Sequence, residues 1–241
     1  MTHVTQTYAV LRALAVGLLA AASVTLTPVF ADDHAGHGAA HVDGRQVQAI
    51  LHHILTANAG FVNRTGPNHF HPFLEAQHPK VTVISCCDSR VQMQAISAEP
   101  DNELFVIRNI GNQLSTTEGS VEYGVHHLHT PVLLIIGHTR CGAIKAASGE
   151  YSSESQPICK ELNTLKIAKG GDMVANVTLN VNNQVTAAVR KFEPEVKEGK
   201  LTVIGVLYDF ANDLKQGYGK LTVINVNGDC STDKTKAYSA E

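Results

Sequence analysis

Two short runs in this 241-residue chain carry residue types that bind metals and steer protons: Cys86-Cys87-Asp88-Ser89-Arg90 and His138-Thr139-Arg140-Cys141-Gly142. Each follows an apolar stretch that reads as a buried strand, Val81 to Ser85 before the first and Val132 to Gly137 before the second. A thiolate from Cys86, an imidazole from His138 and a second thiolate from Cys141 form a donor set that suits Zn²⁺. They leave its fourth tetrahedral position open. An open position is what a catalytic centre keeps, whereas a structural zinc is closed by a fourth donor. Residues three apart at a strand-to-helix turn can converge on one ion, and Gly142 lets the backbone come close. A buried cysteine alone is more often a small hydrophobe, so the weight falls on the three residues together.

Asp88 and Arg90 form the second constellation. A carboxylate two residues from a metal thiolate either falls onto the ion or turns away and accepts a hydrogen bond from whatever the ion holds. Arg90 can decide between these by gripping Asp88 in a two-pronged ion pair that keeps it ionised and oriented. The competing reading is an Asp88 that caps the next helix beside a surface arginine.

Four β-branched or aliphatic runs must position these residues: Val81 to Ser85, Leu104 to Ile107, Val132 to Ile136 and Leu201 to Leu207. Continuous rather than alternating apolarity is what strands buried on both faces of a parallel sheet require. A fifth run, Leu221 to Val226, reads as an edge strand. Helical periods fall between them, at Ser120 to Leu128 and at Val177, Val181, Val185, Val189 and Phe192. The expected class is therefore α/β: a predominantly parallel central sheet of four strands plus the edge strand, flanked by helices. Ligands then belong at the carboxyl ends of the strands. Val47, Ile50, Leu51, Ile54 and Leu55 mark one apolar face of an N-terminal helical arm that something must cover.

Residues 1–31 read as an export signal, with Arg12 ahead of an apolar run and Val29-Phe30-Ala31 as a cleavage site. A periplasmic or secreted protein, free of the membrane once cut near Ala31, is expected. Residues 32–44, with His34, His37 and His41, read as a disordered lead-in, and residues 45–241 as one domain. Removing the signal takes away one basic and no acidic residue, which moves the net charge from −3 to −4. That balance excludes nucleic acid and acidic lipid as main partners. Five cysteines cannot all pair; Cys159 and Cys230, which lie outside the motifs, are the pair to expect if any disulfide forms.

With these residues assembled, the chain resembles the β-class carbonic anhydrase family, which carries Cys-x-Asp-Ser-Arg and, roughly fifty residues later, His-x-x-Cys-Gly. Arg108-Asn109-Ile110-Gly111-Asn112 is similar to the family's Arg-Asn-x-Gly-Asn segment, and Val206 to Asp209 to its later strand end. The likeness runs from about Gln46 to Val226. It implies Cys86, His138 and Cys141 as zinc ligands, Asp88 and Arg90 as the catalytic dyad, and Gly142 beside the substrate. It also implies a homodimer or dimer of dimers in which the N-terminal helix packs on a partner.

The implied reaction is reversible hydration of carbon dioxide to bicarbonate and a proton by attack of zinc-bound hydroxide, rising on the alkaline side because two thiolates donate more charge than imidazoles. His126, His127 and His129 are conceivable proton shuttles or simply a solvated helix end. Some family members have a closed form in which the aspartate binds zinc and bicarbonate sits in a nearby pocket that includes a tryptophan. Arg108 matches an arginine of that non-catalytic bicarbonate site, but the chain has no tryptophan, so an open site is expected. Cys87 stands where the family usually has a small or polar residue, which puts an oxidisable thiol beside the zinc. Alternatives of other kinds are a CS₂ or COS hydrolase of the same fold, a non-catalytic zinc-binding protein, and a thiol-redox protein. The redox reading lacks a Cys-x-x-Cys pair, and zinc storage gives Asp88 and Arg90 nothing to do.

Overall fold

The computed structural model describes residues 43–239. The expected export signal and all but the last two residues of the lead-in fall outside the described residues. Two compact units divide between Arg64 and Thr65. The described part of the first is a single helix, α1 (Gly44–Thr65). Its i, i+3, i+4 spacing does place Val47, Ile50, Leu51, Ile54 and Leu55 on one stripe, and each is more than half exposed.

The second unit is built on a five-stranded sheet: β1 (Val81–Cys86), β2 (Leu104–Asn109), β3 (Val132–His138), β4 (Thr202–Asp209) and β5 (Lys220–Val226), in the order β2-β1-β3-β4-β5. The first four are parallel, and β5 runs antiparallel to β4 at the edge. The expected α/β sheet is therefore present, with one instructive difference at the strand ends. Pairing continues one residue beyond the Val81 to Ser85 run, and two beyond Val132 to Ile136. Cys86 lies opposite Asn109 and His138 opposite Tyr208. Both metal-ligating candidates thus sit on the last rung of a hydrogen-bonded strand instead of in a loop, which fixes their direction.

The helices are α2 (Glu118–Glu122), α3 (Gly142–Ser148), α4 (Gln156–Leu162) and the long α5 (Met173–Lys191), followed by shorter terminal ones. The periodicity at Val177, Val181 and Val185 is the buried stripe of α5, and Phe192 just beyond its end is fully buried. The single helix expected over Ser120 to Leu128 is instead α2 followed by a π-turn at Tyr123–His127. Leu128 N–H bonds back to the Tyr123 carbonyl at 3.0 Å, while the Gly124 carbonyl is taken by the Thr130 amide and hydroxyl, each at 3.2 Å. Periodicity cannot register that competition, because Thr130 comes from the entry to β3.

The α5 helix lies tight against the sheet because Gly137 and Gly205 present no side chain to it. A Cβ built on Gly205 would stand 2.7 Å from Val181 Cγ1 and 2.9 Å from Val185 Cγ2. Gly205→Val is therefore expected to cost about 1–3 kcal/mol through overpacking. Urea unfolding should show a lower midpoint at an unchanged slope; a midpoint equal to wild type would mean that α5 can shift without strain.

Candidate metal centre

Cys86 at the end of β1, His138 at the end of β3 and Cys141 just before α3 meet at the carboxyl edge of the sheet. Their ligand atoms all lie within 4.8 Å of one another, and all three residues are buried. The two Sγ atoms stand 4.0 Å apart. His138 is fully buried, and its Nδ1 donates to the Thr139 carbonyl at 2.9 Å, which leaves Nε2 as the nitrogen available to a metal. Among the described residues, that Nε2 has no hydrogen-bond partner. A lone pair in the interior with no donor costs free energy unless something electropositive fills the gap. Two sulfurs and one imidazole nitrogen converging on that gap fit a soft divalent ion in a three-donor site.

Backbone amides support both sulfurs. The Gly111 amide faces Cys86, and the Ile144 and Ala143 amides at the start of α3 face Cys141. The bond with Cys141, against the cost of burial, brings the Cys86 thiol down to about 4. Keeping the proton with which it bonds Cys86, together with its own burial, pushes Cys141 upwards.

Asp88 is held beside this gap by Arg90. Its Oδ1 accepts from Arg90 Nε and from the Arg90 amide, both at 2.9 Å, and its Oδ2 accepts from Arg90 Nη2 at 2.7 Å. Oδ2 also lies 3.9 Å from His138 Nε2. The Arg90 guanidinium holds the carboxyl below the usual carboxylate range against a partial burial that opposes it. Asp88 caps no α-helix here, and Arg90 is the partner that the two-pronged reading required. The carboxylate is ionised, pinned, and adjacent to the cluster without falling on it.

Arg108 donates into the turn that follows β1. Its Nε donates to the Cys86 carbonyl at 3.1 Å, and its Nη2 to the carbonyls of Asp88 and Val91 at 2.8 and 2.7 Å. It ties down the whole turn that carries Cys86 and Asp88. Replacing Arg108 with Gln should weaken metal affinity about 10–100-fold, the usual cost of losing a group that orients ligands. Competition with a chromogenic chelator would measure this; an unchanged affinity would show that the turn holds itself.

Asp209, at the end of β4, organises the other ligand loop. It accepts from the Asp213 and Leu214 amides at 3.0 and 2.7 Å and from Thr139 Oγ1 at 3.1 Å. Burial pushes its carboxyl up, but these donors outweigh that and hold it below its ordinary value. A depressed folded-state pKa means that this stabilisation is complete above the unfolded value near ~3.9 and is lost as pH falls through the lower folded one. Asp209→Asn, which cannot accept at both oxygens, should cost ~2–3 kcal/mol near neutral pH and flatten the acid limb of the stability curve. Thermal melts across acid pH would test it; an acid limb as steep as wild type would assign that sensitivity elsewhere.

The other predicted residues fall as follows. Gly142 opens α3, and a Cβ there would meet open space, so nothing crowds the approach at that point. Cys87 is exposed, with burial as the first cause raising its thiol, and its amide bonds to the Asn109 carbonyl at 3.0 Å. His126 and His127 lie in the π-turn that precedes β3, whereas the cluster lies beyond its far end, a strand of seven residues or roughly 20 Å away. His126 bonds Glu195 at 3.0 Å. The Cys159–Cys230 pairing does not form. Both thiols are free, the first against the Tyr151 carbonyl on the α4 side and the second beside Asn182 and Asn225.

Residues that sequence reading missed at the site are Phe210, whose ring covers Arg90, and Asp213, which pairs with Arg140 at 2.8 Å. Both lie on the turn after β4, some 70 or more positions from what they touch, and neither stands in a motif. Arg140 itself adopts φ 55°, and its carbonyl accepts from Arg90 Nη2 at 3.3 Å.

Comparison with known proteins gives a consistent picture. The family model for carbonic anhydrase matches residues 81–217. A carbonic anhydrase from Synechococcus elongatus is 39% identical over 89 residues, covering 33% of this chain and 33% of that relative. The mitochondrial β-carbonic anhydrase 6 of Arabidopsis thaliana is 29% identical over 177 residues, covering 68% of this chain and 59% of the relative. The first of these matches thus spans only a third of its relative's length. Among solved structures, a tetrameric β-carbonic anhydrase from Sordaria macrospora has a TM-score of 0.63 at 23% identity, covering 73% of this chain and 98% of that one. The Coccomyxa β-carbonic anhydrase has a TM-score of 0.61, also at 23% identity, with 76% and 90% covered. These two structures share the fold.

Proposed function

Because the chain belongs to the β-class carbonic anhydrase family, we propose that it catalyses the reversible hydration of carbon dioxide to bicarbonate and a proton, with zinc held by Cys86, His138 and Cys141. The observation that carries this reading is the buried, partnerless His138 Nε2 facing two sulfurs, with an ionised carboxylate held alongside by Arg90. Zinc bound there would act as a Lewis acid that lowers the pKa of a coordinated water towards neutrality.

The chain's own residues supply the rest. Asp88 is ionised and its carboxylate can only accept, so an attacking O–H beside Oδ2 must donate to it and present its lone pair to carbon dioxide. Arg90 does not touch the reacting atoms. It positions Asp88 and keeps it off the ligand cluster, which supports an open arrangement at rest. The proton released leaves by way of solvent or buffer.

The exposed apolar stripe of α1 supports assembly with a second copy of this chain as a dimer or dimer of dimers. The signal-like residues 1–31 support export and work outside the cytoplasm.

Stopped-flow hydration of carbon dioxide by the zinc-loaded chain tests the central reading. Turnover should vanish on treatment with a strong chelator and return when zinc is restored. A stoichiometrically zinc-loaded protein no faster than buffer would overturn it.

A further inference from the structure

We propose that Phe210 is a positioning residue for the reaction: its ring clamps the Arg90 guanidinium face-on and so keeps Asp88 aimed. This rests on the dyad described above.

Arg90 sits on a flexible stem and its side chain is 41% exposed. An ion pair that open is worth little in water, because solvent competes for both charges and the side chain loses rotamer entropy on being held. In its plane, Nε and Nη2 engage both oxygens of Asp88, and Nη2 also reaches the Arg140 carbonyl. Hydrogen bonds in that plane resist a swing out of it less well than a contact across the face does.

Phe210 supplies such a contact across the face. Arg90 Cζ stands 4.5 Å from the centre of its ring, within the range where a cation is attracted to the negative face of an aromatic. The contact also removes water from one side of the guanidinium, which strengthens the ion pair beneath it. Phe210 is itself braced. It lies 5.9 Å from the His138 ring at a 31° tilt and 6.2 Å from Tyr208. The turn that carries it is tied down on either side by Asp209 and by the Arg140–Asp213 pair. One ring therefore touches both the ligand His138 and the arginine that orients Asp88, and the turn after β4 becomes part of the active machinery.

Leu at this position fills similar volume against His138 but has no π face, whereas Tyr keeps the face. Zinc-loaded Phe210→Leu, with metal content equal to wild type, should therefore lose roughly three- to thirtyfold in kcat/KM for carbon dioxide hydration. Phe210→Tyr should stay within about twofold of wild type. In an Arg90→Gln background, Phe210→Leu should add no further loss, because the group it acts through is gone. A readout independent of turnover is the Arg90 Nε–H signal in ¹H–¹⁵N spectra, assigned by Arg90→Gln. It should be shifted upfield by the ring current in wild type and Phe210→Tyr, and lose that shift in Phe210→Leu.

Wild-type kcat/KM in Phe210→Leu, or an equal loss in both Arg90 backgrounds, would overturn the inference and leave the dyad standing. Unchanged turnover in Arg90→Gln alone would remove the dyad and this inference with it.

Discussion

Asp88→Asn is expected to lower kcat/KM for carbon dioxide hydration by about 10²–10⁴-fold while zinc stays bound, the range typical for removing a group that handles a proton in the transition state. The substitution changes almost no volume, so the effect reads chemistry rather than packing. Arg90 presents donors to both oxygens of Asp88. An amide satisfies one of them and sets its own N–H₂ against the other, so the two-pronged pair cannot re-form. The side chain also loses its charge, and with it the acceptor that aims the attacking oxygen. Because Asp88 stands outside the sulfur and imidazole trio, metal content should be untouched. Stopped-flow turnover beside elemental zinc analysis separates the two quantities. A variant with full zinc and wild-type turnover would take Asp88 out of the reaction.

The second large effect is expected from His138→Ala, which should bring zinc content and turnover both to background. His138 is the one nitrogen donor of the trio and is fully buried at the end of β3. Two sulfurs 4.0 Å apart cannot by themselves fill a tetrahedral ion's protein-side positions. Binding that favours the folded state also stabilises it, so loss of the ion removes that contribution as well. Wild type should melt at a lower temperature when a chelator is added, and His138→Ala should melt at one temperature with or without it. Stoichiometric zinc of wild-type affinity in the variant would mean that another side chain is the third donor.

Much of the sheet was legible because its strands are buried on both faces. That condition writes itself into the chain as unbroken runs such as Val132 to Ile136, which a reader can recognise without knowing any partner strand. The ligand trio was legible for a related reason: Cys86, His138 and Cys141 each follow such a run, and strand ends are where a parallel sheet gathers its ligands. The π-turn at Tyr123–His127 was not legible, because the local period there is helical and the deciding bonds come from Thr130. The role of Arg108 was equally hidden. Its motif context says that it is near the site, but only the folded turn shows its donors spent on the carbonyls of Cys86, Asp88 and Val91.

What the chain determined unaided is the chemistry of the donors and the order of the elements, since side-chain type and hydrophobic period are local properties. The tertiary structure alone decided which oxygens Arg90 grips, that Phe210 lies over it, and that Asp209 and Asp213 hold the second ligand loop. The last two of these join residues 70 to 120 positions apart, through a turn after β4 whose course no local period encodes.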